Sequence, residues 1–124
     1  MPLHDVWCPA CGTTFEAIVS TGATTARCTH CFGDARTGPP GDPPSARARV
    51  VAEARRHGTL DAKREAELGH FETSDADTLL DLDWEHAGKK KLEAACAQHQ
   101  IAWADVEEDL FSAYYDAFQS AAPT

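Results

Sequence analysis

With 124 residues, 43% of them hydrophobic, the chain is long enough for one ordinary domain or two very small ones. Its formal net charge of -9 argues against nonspecific nucleic-acid binding, which relies on cations replacing counterions along phosphates. The start Met1-Pro2-Leu3-His4-Asp5 carries no basic segment or apolar signal core, and no run could span a bilayer, so a cytoplasmic protein without membrane contact is expected.

Two Cys-x2-Cys pairs dominate the first quarter: Cys8-Pro9-Ala10-Cys11 and Cys28-Thr29-His30-Cys31, sixteen residues apart. Each pair can curl into a knuckle presenting two thiolates, and one hairpin can bring the knuckles into a tetrahedral four-thiolate site. The spacing predicts a zinc ribbon holding one structural Zn2+ per chain on Cys8, Cys11, Cys28 and Cys31. Such a site is closed to water and substrate, which argues for a binding module over a metalloenzyme. Iron in a rubredoxin-like site and a disulfide pair are the alternatives, and a reducing cytosol disfavours the second. A ribbon of this size has too little apolar surface to fold unaided, so its metal is expected to hold it folded. Gly12 follows the first knuckle, where positive backbone torsions aim amides at sulfur. Phe32 occupies the matching place in the second, so Gly33 is expected to take that role one residue late.

The opening Met1-Pro2-Leu3-His4-Asp5-Val6-Trp7-Cys8-Pro9-Ala10-Cys11-Gly12-Thr13-Thr14-Phe15-Glu16 resembles the FmdB-type regulatory zinc ribbons. That family begins Met-Pro, runs a short aromatic strand into a Cys-x2-Cys-Gly knuckle and continues Phe-Glu, in register with Phe15 and Glu16. The resemblance covers residues 1 to about 33. It departs at His4 and Val6, where tyrosines are usual, and at Phe32. It implies a small zinc-binding protein with a regulatory role.

Residues 1–37 read as the ribbon, with a strand over Phe15-Glu16-Ala17-Ile18-Val19, and 38–44 as a linker in which four prolines and two glycines exclude regular structure. Residues 45–124 contain no proline until Pro123 and read as an acidic helical domain. A first helix is expected over Ser45–His57, stopped by Gly58, and a second from Thr59 with Leu60, Arg64, Leu68 and Phe71 on its stripe. Ser74 with Asp77 makes a capping-box-like start for one long, kinked helix from Asp75 to about His99. Ile101 and Val106 have hydrophobic-staple spacing around Ala102, and Val106, Leu110, Ala113, Tyr114, Ala117 and Phe118 make the stripe of a last helix.

Asp75, Asp77, Asp81, Asp83 and Glu85 lack the central glycine of a calcium loop and read as a solvated face. His57, His70, His86 and His99 are too widely spaced for a local metal pair, His30 reads as a knuckle side chain facing water or a partner, and Cys96 reads as a core thiol. Charge is uneven: residues 45–71 hold six cations and four anions, and residues 72–124 three cations and twelve anions. The basic segment Arg47, Arg49, Arg55, Arg56, Lys63 and Arg64 is interleaved with acids at helical spacing, which favours intrahelical pairing over contact with phosphate.

The reading is a small α+β fold, an N-terminal β zinc ribbon followed by a mostly α-helical C-terminal domain of three to four helices. No catalytic arrangement is present, so the expected function is a non-enzymatic adaptor binding another protein in a regulatory or assembly complex. Phe111 with Tyr115, and more weakly Arg47, Arg49, Arg55 and Arg56, are the candidate partner-binding residues. The alternatives are a transcription-associated factor whose ribbon contacts nucleic acid or RNA polymerase, and an acidic decoy of a nucleic-acid-binding surface.

Overall fold

The computed structural model describes residues 3–20 and 22–123, so Met1 and Pro2, which open the family resemblance, lie outside the described residues. Strands β1 (Leu3–Trp7), β2 (Thr14–Ile18), β3 (Thr25–Arg27) and β4 (Asp34–Thr37) form one antiparallel sheet in the order β2-β1-β4-β3. Period-2 alternation sets its faces. Val6 and the partly buried Phe15 and Ala17 turn inward, while Leu3 and Ile18, paired across β1 and β2, are both 62% exposed on the other face. Residues 38–44 are irregular and lie along the ribbon: a Cβ on Gly41 would stand 3.1 Å from the Trp7 ring, and one on Gly12 3.2 Å from Pro44.

Helix α1 spans Ala46–Glu67, capped by Ser45, whose Oγ accepts from the Ala48 amide at 3.1 Å. It runs straight through Gly58, where a stop was expected. Gly58 is needed there for packing: a Cβ would lie 2.5 Å from the carbonyl oxygen of Tyr114 on the last helix. The helix ends ten residues later than the sequence suggests, at a backbone turn completed by Gly69 (φ 75°). Because the turn phase is never reset at Gly58, the inward stripe set by Val50 and Ala54 continues through Gly58, Asp61 and Glu65. The expected second stripe is therefore wrong: Leu60 and Leu68 are exposed, while Asp61 and Glu65 are buried.

After a 3-10 turn at His70–Glu72, α2 (Ala76–Asp83) starts one residue later than the Ser74 reading, with Asp75 Oδ1 accepting from the Thr78 amide at 2.7 Å. It passes through a π-helical turn at Trp84–Gly88 into α3 (Lys89–Gln98), with helical torsions at both joins. The expected single long helix is thus present, and its irregularity is a π-bulge. Gly88 lies at that bulge against the Tyr114 ring, where a Cβ would come within 3.3 Å of Cε2. Helix α4 (Trp103–Ala121) buries Val106, Leu110, Tyr114, Ala117 and Phe118, the stripe its spacing predicts apart from half-exposed Ala113. Val106, Leu110, Tyr114 and Phe118 meet Val50, Ala54, Leu79, Leu80, Trp84 and Leu92 in the helical core. The protein is a small α+β fold, a four-stranded antiparallel sheet followed by three helices when α2 and α3 are counted as one. No described helix is long and apolar enough to cross a membrane.

The other side of α1 meets the ribbon. Ala52, 1% exposed, belongs to the same buried cluster as Val6, Cys8, Cys28, Cys31 and Ala35.

The Gly58 contact yields a test. Alanine inside a helix ordinarily gains about 1 kcal/mol over glycine. Gly58→Ala should instead lower stability by about 1–3 kcal/mol, because the added methyl has only the α4 backbone to displace. Urea unfolding measures this, and an unchanged or raised midpoint would contradict the close packing of α1 on α4.

Candidate metal centre

The two knuckles are built alike. In the first, the Cys8 amide donates to Thr13 O at 2.9 Å and the Gly12 amide to Cys8 O at 2.7 Å; in the second, Cys28 donates to Gly33 O at 2.8 Å and Phe32 to Cys28 O at 3.0 Å. The fifth residue of each adopts the left-handed conformation, Gly12 at φ 80° and Phe32 at φ 63°. Phe32 itself therefore takes the role expected of Gly33. This is uncommon for a bulky residue, which pays a steric cost of about 1–2 kcal/mol in that region.

These turns bring all four Sγ atoms within 4.8 Å of one another. The closest pairs cross between knuckles, Cys8 to Cys31 and Cys11 to Cys28, each at 3.6 Å. A disulfide would need about 2.05 Å, so the thiols are free. Thiolates at about 2.3 Å from a tetrahedral zinc lie about 3.8 Å apart, so the donor set fits such an ion with small adjustments. Cys8, Cys28 and Cys31 are wholly buried and Cys11 partly so. The amides of His30 and Cys31 point at Cys28 Sγ, at 3.4 and 3.5 Å, and Thr13 Oγ1 lies 3.2 Å from Cys11 Sγ.

Burial raises the Cys8 thiol and pushes the Cys31 thiol well above the ordinary range, and the neighbouring Cys8 adds to the effect on Cys31. Burial acts the same way on Cys11, but hydrogen bonds with Thr13 and the adjoining thiols outweigh it and leave that thiol below its usual value. A divalent cation reverses this balance, since a coordinating thiol is deprotonated outright. Cys8, Cys11, Cys28 and Cys31 could thus hold a metal ion with every position filled by sulfur.

The other candidates fall elsewhere. His30 Nε2 lies 3.3 Å from Glu53 Oε1 on α1, turned to a partner within the chain. Cys96 is buried in the helical core, where burial, helped by the Glu93 charge, raises its pKa and leaves it unreactive. Asp75 caps α2, and Asp77 accepts from Gln119 Nε2 at 2.5 Å and from the Tyr115 hydroxyl at 3.4 Å, so these acids form no calcium loop. Phe111 is half-buried and packs edge-on against Trp84 at 5.0 Å between centroids, while Tyr115 is 39% exposed. Arg47 pairs with Asp109 of α4, Arg49 donates to Cys11 O at 3.3 Å, Arg55 reaches the second knuckle, and Arg56 is half-buried.

A second charged cluster escaped the sequence reading. Buried Asp61 accepts from the Tyr114 hydroxyl at 2.6 Å, and His70 Nδ1 lies 2.5 Å from Glu65 Oε2. Arg64 spans Asp61, Glu65 and Asp83 at 3.5, 4.0 and 3.6 Å, while Asp83 Oδ2 is buried without a hydrogen-bond partner. Three carboxylates share one arginine. Burial and then the charges of Glu65 and Asp61 push Asp83 up to about 7, against the pull of Arg64. The helical spacing of Asp61, Arg64 and Glu65 signals their pairing in the sequence, but their burial was not legible, because the expected break at Gly58 turned Leu60 and Arg64 inward instead.

Comparison with protein-family models, curated proteins and solved structures returned no match.

Two tests follow from these geometries. Protein purified without added metal should carry one zinc per chain by elemental analysis, and Cys28→Ser or Cys31→Ser should abolish it; stoichiometric iron or freely titrating thiols would exclude a zinc site. For Asp83, the folded pKa of about 7 exceeds the unfolded carboxylate value of about 3.9. The folded state then holds the extra proton between these values, and stability should fall as pH rises from about 4 to 7. Asp83→Asn should flatten that part of the profile in urea titrations at constant salt. An unchanged slope would remove Asp83 as its source.

Proposed function

We propose that this chain is a non-enzymatic zinc-ribbon adaptor that binds another protein in a regulatory or assembly complex. The observation that carries the reading is the closed donor set, four cysteines and no further ligand among the described residues. A metal so enclosed supports a fold and leaves no coordination site for substrate. The resemblance of residues 1 to about 33 to FmdB-type regulatory zinc ribbons points the same way, and a cytoplasmic setting suits a chain with five free cysteines. The contact surface fits the outer ribbon face, where Leu3 and Ile18 stand opposite each other and exposed. Phe111 with Tyr115 fits this role less well, since Phe111 packs on Trp84.

Nucleic-acid binding is the less favoured role, because net charge opposes it and Arg47 and Arg49 are already engaged within the chain. Affinity purification from the native host, read by mass spectrometry, tests the proposal. A specific partner should be captured by the wild type, and Leu3→Ser/Ile18→Ser should reduce its affinity by about tenfold or more, as expected when buried apolar anchors are lost. Equal capture by the double variant would exclude that face. A gel shift with DNA or RNA at physiological salt, abolished by changing Arg47, Arg49, Arg55 and Arg56 to alanine, would overturn the adaptor reading in favour of a transcription-associated factor.

A further inference from the structure

Cations from α1 and β3 converge on the two knuckles. On the first, Arg49 Nη1 donates to Cys11 O at 3.3 Å, and its Nη2 lies 3.3 Å from where a Gly12 Cβ would stand. On the second, Arg55 Nη1 is 3.0 Å from the corresponding position on Gly33, which is itself 3.4 Å from Cys31 Sγ. Arg27 Nε donates to Phe32 O at 3.2 Å, and Lys63 Nζ sits 4.8 Å from the centre of the Phe32 ring. Between the two arginines, Ala52 seals the buried cluster that contains three of the cysteines. Arg27, Arg55 and Lys63 also line a shallow groove between ribbon, α1 and α4. All three already touch the second knuckle, so the groove needs no external anion to account for its charge.

We propose that Arg49 and Arg55 are positioning residues of the metal centre, which stabilise the ion from α1 and thereby make metal occupancy and docking of the ribbon onto the helices one coupled equilibrium. Four thiolates around a divalent ion carry a net charge of about -2 in a largely buried site. Removing such charge from water is costly unless compensating groups face it. The amides at Cys28 Sγ supply part of the compensation, and the two guanidinium groups supply full charges from a different structural unit. Both arginines stand on one rigid helix whose opposite face is packed into the helical core, so their placement depends on the ribbon lying against α1. By linkage, any metal affinity that docking contributes, the metal returns as docking stability.

The proposal rests on zinc occupying the four-cysteine site, and its test separates the two. Zinc affinity of the full chain is measured by competition with a chromophoric chelator, for wild type, Arg49→Gln/Arg55→Gln, Arg49→Lys/Arg55→Lys and, as a control away from the ribbon, Arg47→Gln. The glutamine pair should weaken zinc binding by about 10- to 100-fold, as loss of outer-shell partners does. The lysine pair should restore much of that loss, and Arg47→Gln should match wild type. Zinc removal should also lower the thermal midpoint of the helices, followed by circular dichroism, and by less in the glutamine pair. Wild-type affinity in the glutamine pair, no rescue by lysine, or a helical midpoint indifferent to zinc would each overturn the coupling while leaving the metal site intact. A wild-type chain that fails to bind zinc at all would overturn both.

Discussion

Helix α1 has to bury two faces at once, and the rest of the structure is arranged around that requirement. One face carries Val50, Ala54, Gly58, Ala62 and the buried acids into the helical core; another places Ala52 against the cysteine cluster. A helix enclosed on two sides cannot carry large apolar residues everywhere without forcing its neighbours apart. Alanine and glycine at positions 52, 54, 58 and 62 let the neighbouring elements approach, and at Gly58 a Cβ would stand 2.5 Å from the Tyr114 carbonyl oxygen of α4. Small side chains also lose little entropy on ordering, so the helix is compatible with this packing despite its modest apolar content.

The charge distribution follows from the same geometry. In a chain of net charge -9, the six cations of residues 45–71 look like an outward-facing basic patch. Four of them instead serve internal sites: Arg64 bridges the buried acids, Arg49 braces the first knuckle, Arg55 reaches the second, and Lys63 covers the Phe32 ring. Arg47 ties α1 to α4 through Asp109. The pairing along α1 expected from the interleaved acids is present at Arg64 with Asp61 and Glu65, and Arg47 and Arg64 also reach acids on other elements, Asp109 and Asp83. His30 with Glu53 likewise joins the second knuckle to α1.

What could be read from the sequence was what depends on local chemistry. Cys-x2-Cys pairs specify their knuckles because ligand geometry fixes the turn, and the α4 stripe was plain because every third or fourth position from Val106 to Phe118 is apolar or aromatic. The strand around Phe15 lay within one residue of its place for the same reason. What failed depends on partners distant in sequence. Gly58 has the form of a helix stop, and only the Tyr114 carbonyl, 56 residues away in the chain, explains why it sits mid-helix. A break there shifts the phase of residues 59–68 and puts Leu60, Arg64 and Leu68 on the inward stripe in place of Asp61 and Glu65. Their burial is legible only with Tyr114, His70 and Arg64 beside them. Gly69, overlooked, was the true terminator.

Phe32 shows how far the ribbon depends on its surroundings. Its knuckle requires a left-handed residue, which Gly12 supplies without steric cost in the first knuckle. For a ribbon folding alone, glycine would be the favourable choice at position 32 as well. Phenylalanine costs about 1–2 kcal/mol in that conformation, and its compensation has to come from contacts made by the ring. Those contacts lie outside the ribbon: the ring meets Lys63 of α1 and lines the groove whose far wall is α4. A cation over an aromatic face contributes about 0.5–1 kcal/mol at an exposed site, and the apolar area of the ring adds to it. The residue that strains the second knuckle therefore recovers stability only when ribbon and helices lie together, and the strain is explained by the docked arrangement and not by the metal site alone.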